Sequence, residues 1–157
     1  MNPTPSEYRA LLRRDLYAFT EKCFYELNPT ATFMPNWHIE VVASALEACR
    51  RGEITRLIIN QPPRSMKSHS ASVAFPAFLL GHDPSAQIIC ASYGQELANK
   101  HAMDCRTGCL NHMRLVFFRN RGEPDYRPGF HAENMTNQIV FVQPLHDEND
   151  ASSPLVV

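Results

Sequence analysis

Glycine is scarce in this chain, with six in 157 residues, and none falls between Gly52 and Gly81. A phosphate-binding loop of the usual glycine-rich spelling is therefore excluded from the middle of the sequence. No apolar run approaches the ~18–20 residues of a membrane span. The opening Met-Asn-Pro-Thr-Pro-Ser is not a signal peptide, so a cytoplasmic protein is expected. An excess of one charge is also missing: 15 Lys and Arg face 16 Asp and Glu, for a net charge of −1. No global basic field announces a nucleic-acid partner. The five cysteines are odd in number and not spaced as a disulfide framework, which agrees with reduced thiols.

What is present is ordinary in amount. Hydrophobic residues make up 44%, and the length leaves room for one domain with a real core. From Ser6, a plausible N-cap, Tyr8, Leu12, Leu16, Phe19, Cys23 and Leu27 recur at helical spacing. One amphipathic helix over 6–27 is predicted, ended by Asn28-Pro29, with Arg13-Arg14 on its solvated face. Asn36 can cap a second helix that carries Val42, Leu46 and Cys49 and stops near Gly52.

Residues 54–80 are the stretch around which the rest is organised. Leu57 to Ile59 is a short β-branched run suited to a strand buried on both faces. Pro62 and Pro63 end any ladder, because neither can donate a backbone N–H. Arg64-Ser65-Met66-Lys67-Ser68 follows, and then a segment of helical character through Leu80 with a kink or end near Pro76. Strand, tight loop ending in Lys-Ser, and helix together form a phosphate-binding arrangement. Amides converge at a helix N-terminus, an ammonium reaches the outer phosphates, and a hydroxyl follows it to hold Mg²⁺. The two glycines of the usual loop would stand at Gln61 and Met66, so the spelling fails there.

Gln87 to Ser92 reads as a second strand, parallel to the first through a right-handed crossover, and Tyr93-Gly94 ends it at the sheet edge. Glu96 to Asn111 reads as a helix. On it His101, Cys105, Cys109 and His112 share one face. These are zinc-capable residue types, but a straight helix spreads the first and last roughly 16 Å apart at its 1.5 Å rise per residue. Buried small thiols explain them better.

The segment Arg56 to Ser68 resembles the glycine-poor Walker A loop of tailed-phage terminase large subunits, the ATP-driven DNA-packaging motors. Phe33 to Glu40 is similar to the family's segment bordering the adenine pocket, although relatives often use glutamine where His38 stands. Leu80 to Pro84 and Ala91 to Ala98 resemble the next helix end, strand and helix. The resemblance covers roughly residues 5–108. It implies an α/β fold, a partial P-loop NTPase-like parallel sheet flanked by helices and preceded by two N-terminal helices.

It also implies ATP and Mg²⁺ as ligands. Lys67 would bind the β/γ-phosphates, Ser68 the Mg²⁺, and Arg64 the γ-phosphate. The remaining binding residues would be Gln61, Pro62, Pro63, Ser65 and Met66, with Trp37 and His38 at the adenine; a core anchor and a cap are their alternative roles. Double-stranded viral DNA, the portal and the small terminase subunit are the implied partners, with a homo-oligomer possible and no membrane.

Beyond about Gly108 the pattern ends. Residues 1–112 are read as the N-terminal part of the ATPase domain, and 113–157 as a divergent tail, frameshifted or poorly ordered. No Lys or Arg follows Arg127, while Glu133, Asp147, Glu148 and Asp150 are acidic. Ile139 to Val142 is a candidate strand for the second ATPase motif and Asp147-Glu148 its candidate acids, but Gln143 to His146 separates them. A nuclease domain, with its clustered carboxylates for two metals, has no room here. The chain is thus expected to be a truncated motor fragment, inactive by itself. A non-catalytic module docking on a portal or a full-length terminase, and an unstable prophage relic, stand as the alternatives.

Overall fold

The structure is a computed structural model that describes residues 4–92, 94–106 and 139–142. The chain enters α1 (Pro5–Arg14) through Thr4, whose hydroxyl accepts from the Glu7 amide while Glu7 reaches back to the Thr4 amide. This reciprocal pairing satisfies two helix-start donors at once, so the cap is Thr4 and not Ser6. The single helix expected over 6–27 is in fact two. Asp15 breaks it, with extended backbone and a carboxylate accepting from the Ala18 amide, and α2 (Leu16–Leu27) begins anew. An Asp that can bond to a nearby amide competes with helix continuation, and apolar periodicity cannot register that.

After a loop, α3 (Trp37–Arg50) runs to Gly52, whose φ of 79° closes a six-to-one turn. The Glu53 amide bonds the Ala48 carbonyl and the Gly52 amide bonds that of Cys49. That pairing uses up carbonyls the helix end would otherwise leave bare.

Residues 57–61 are neither helix nor strand and belong to no ladder among the described residues. Leu57 and Ile59 pack against the core, whereas Ile58 is 93% exposed. The helical run that follows is widened by one residue over His69–Ala74, a π turn, before α4 (Phe75–His82). Pro76 accounts for the widening: its ring cannot donate to the Ser72 carbonyl and would collide with it, so the turn opens to i→i+5. The Phe75 amide bonds the Ser70 carbonyl accordingly.

Then come β1 (Ile88–Ala91) and α5 (Gln95–Asp104). The last described element, β2 (Ile139–Val142), pairs with β1 in parallel, Ile88 opposite Ile139 and Ala91 opposite Val142.

These elements overturn the expected fold class. The described chain is mainly helical, and its β structure is one pair of four-residue strands, not a parallel sheet flanked by helices. Three helices, not two, precede the loop. The strand predicted at 57–59 is not formed, because nothing among the described residues pairs with it; only one face of that segment meets the core. Helices build that core instead. Leu16, Phe19 and Cys23 of α2 meet Val42, Ala43 and Leu46 of α3, with Val73 of the π turn and Phe78 and Leu80 of α4 closing it. Among the described residues no helix is long and apolar enough to cross a membrane.

Candidate functional site

The segment between residues 57–61 and the helix is built by local chemistry. Pro62-Pro63-Arg64-Ser65 forms a turn in which Arg64 has a φ of +63°. Proline at the second position and a positive φ at the third are the marks of a type II turn. The Ser65 hydroxyl donates to the Pro62 carbonyl at 2.7 Å and locks it. Met66 is also left-handed, at +66°. Glycine would adopt both conformations freely; here two L-residues do so at a cost.

A left-handed residue followed by a right-handed one, as at Met66 and helical Lys67, turns adjacent amides toward one side, an arrangement suited to an anion. The helix then starts at Lys67. Its first firm backbone bond runs from the Ser70 amide to the Met66 carbonyl at 2.9 Å. The amides of Met66, Lys67 and Ser68 have no acceptor among the described residues, as the first turn of any helix requires. Neither Arg64 nor Lys67 is held in an ion pair with a described residue. Ser68 is exposed and Lys67 half-buried.

Beside this loop lies an open, mostly apolar groove of about 520 Å³. One wall is α3, through Trp37, His38, Val41 and Ala45; the other is the segment from Leu57 to Pro62, with Ser65 at its end. Trp37 is 73% exposed, with its ring edge-to-face on His38 at 6.2 Å. A groove of this volume between an indole and aliphatic side chains matches the size of sites that hold planar ligands.

The structure therefore brings together Trp37, His38, Gln61, Pro62 and Ser65 as groove walls. It leaves Pro63, Arg64, Met66, Lys67 and Ser68 in the adjoining loop and helix start. The exposure of Trp37 removes the reading of it as a core anchor. Asn36 stands at the N-cap of α3 but makes no side-chain cap bond. The candidate acids Asp147 and Glu148 lie outside the described residues, as do Cys109 and His112. Among the described residues no cluster of three or more His, Cys, Asp or Glu is disposed to hold a metal ion.

Sequence reasoning passed over His69. It is half-buried at the start of the π turn, its Nε2 3.1 Å from the Thr20 carbonyl of α2 and its ring edge-to-face with Phe24 at 6.0 Å. Burial, first, pushes its pKa below 6.5, and the Thr20 bond partly opposes that. The one signal in the sequence is its position two residues after Lys67, where the residue on the inner side of a first helical turn bears on whatever packs beneath the loop. His101 of α5 has a pKa lowered by burial as well, and its Nδ1 is buried without a partner among the described residues.

Comparison with known proteins returns no matching family, no matching curated protein and no matching solved structure.

Proposed function

We propose that this chain is an ATP-binding piece of a DNA-packaging motor of the terminase large-subunit type, inactive in cleavage by itself. One observation carries the reading. Two left-handed residues turn the chain so that Lys67, Ser68 and three unspent amides stand at a helix start, next to a groove walled by Trp37 and His38. Triphosphate and base need adjoining sites of opposite character, one cationic and one apolar, and these adjoin in space at Ser65.

On this reading Lys67 neutralises the outer phosphates, Arg64 adds a second cation, and Ser68 supplies a hydroxyl to the Mg²⁺ that accompanies ATP. Trp37 gives the base its apolar surface and His38 a hydrogen-bonding edge. Duplex DNA, a portal and a small terminase subunit are the partners that belong with such a motor. The segment 57–61, which pairs with no strand among the described residues and exposes Ile58, favours a second reading, a non-catalytic module that docks on a full-length motor.

Trp37 is the only tryptophan, so its fluorescence reports directly on the groove. Titration with ATP·Mg²⁺ should change Trp37 emission saturably, and Lys67→Ala should weaken binding by at least about ten-fold, since a charge-assisted contact contributes ~1.5–3 kcal/mol. Unchanged emission together with no heat of binding in calorimetry rejects the nucleotide reading and leaves the docking module.

A further inference from the structure

His69 lies between the loop and the helix beneath it. We propose that it is the positioning residue of the phosphate loop: its Nε2–H bond to the Thr20 carbonyl ties the first turn after Lys67 to α2, so that displacement of α2 lowers phosphate affinity. This rests on the nucleotide reading above and assigns the regulation of that site.

The geometry supports a single tautomer. A carbonyl can only accept, so at 3.1 Å from Thr20 O the Nε2 must carry the hydrogen. Thr20 is 1% exposed and its own hydroxyl is committed to the Leu16 carbonyl at 2.7 Å. It is therefore a fixed point on α2, whose neighbouring Phe19 packs on Phe78 of α4 at 5.4 Å. The loop on the other side is not fixed in this way. Between Pro62 and the bond from Ser70 to Met66, the side-chain bonds that hold it are local, made by Ser65 to Gln61 and Pro62.

The π turn puts one extra residue into the helix that carries His69, and such turns recur at functional positions. His69 also meets the field of α5. Asp104 favours its protonated form, while Lys100 and His101 disfavour it. From α2 its neighbours are the Thr20 carbonyl and the Phe24 ring.

The test uses the whole chain, His69→Gln and His69→Leu. Gln can place an N–H near the position of Nε2. Two measurements are made at neutral pH: Trp37 fluorescence titrated with ATP·Mg²⁺, and amide hydrogen exchange over residues 66–70 without nucleotide. His69→Leu should bind ATP about ten-fold more weakly, the equivalent of one lost hydrogen bond, and exchange faster over 66–70. His69→Gln should bind within about two-fold of the parent and exchange over 66–70 as the parent does.

Equal exchange in the parent and His69→Leu, or ATP binding by His69→Gln as weak as that of His69→Leu, overturns the proposal. If the parent takes up no ATP, the nucleotide reading fails by itself. Faster exchange in the Leu variant alone would still support the tie, and equal exchange would still reject it. Should His69→Leu not fold, His69→Gln decides: parent-like affinity supports the tie and a loss of about ten-fold overturns it.

Discussion

The carboxylate of Glu47 in α3 accepts a hydrogen bond from the amide of Leu16, the first residue of α2, at 2.7 Å across 31 residues of sequence. A helix start leaves four donors unsatisfied and carries partial positive charge, so an anion from a neighbouring helix is stabilising there. Glu47→Ala should cost about 1–2 kcal/mol in urea unfolding, because the amide of buried Leu16 then has no acceptor. Glu47→Gln keeps an acceptor but not the charge and should lose roughly half as much. Equal stability of all three proteins would show that water replaces the carboxylate at no cost.

Phe78 is fully buried, tilted on Phe19 at 5.4 Å, edge-to-face with His82 at 4.6 Å, and covered by the Arg50 guanidinium at 5.9 Å. Phe78→Ala should destabilise the fold by about 3–5 kcal/mol, a large share of the ~5–15 kcal/mol that holds a domain together. Thermal unfolding checks this. A loss under about 1 kcal/mol would mean that α4 does not form the core surface described.

Met66 holds a left-handed conformation that costs an L-residue roughly 1–2 kcal/mol. Met66→Gly removes that cost but adds ~0.5–1 kcal/mol of freedom in the unfolded chain, so its urea midpoint should match or slightly exceed the parent's. Met66→Val, branched at Cβ, should unfold about 1–2 kcal/mol sooner. A valine variant as stable as the glycine one would place Met66 outside the left-handed region.

Burial in β1 raises the Cys90 thiol to about 11. At about pH 8 roughly one molecule in a thousand is then the thiolate, the form that reacts. Iodoacetamide labelling followed by mass spectrometry should find Cys90 modified about a hundred-fold more slowly than a free thiol such as glutathione. Rapid labelling would mean that β1 opens readily to solvent.

Local chemistry was legible before the structure. The stop of α3 at Gly52, the strand at Ile139–Val142 and the disturbance at Pro76 follow from rules that act over four or five residues. The break at Asp15 was not legible, because Leu12, Leu16 and Phe19 keep a helical stripe running straight through it. Leu57 to Ile59 misled in the opposite direction: β-branched residues favour extended backbone, but a strand also needs a partner, and the described chain supplies none.

By itself, then, the sequence determined the short-range features: the tight loop after Pro62-Pro63, the helix start at Lys67-Ser68 and the closure of α3. Each depends on bonds between near neighbours. Tertiary structure alone decided that Trp37 faces a groove instead of the core, that β1 pairs with β2, and that His69 meets Thr20 across 49 residues. Those contacts join positions far apart in the chain, and which of them form depends on how α2, α3 and α4 share one apolar core, which no local pattern encodes.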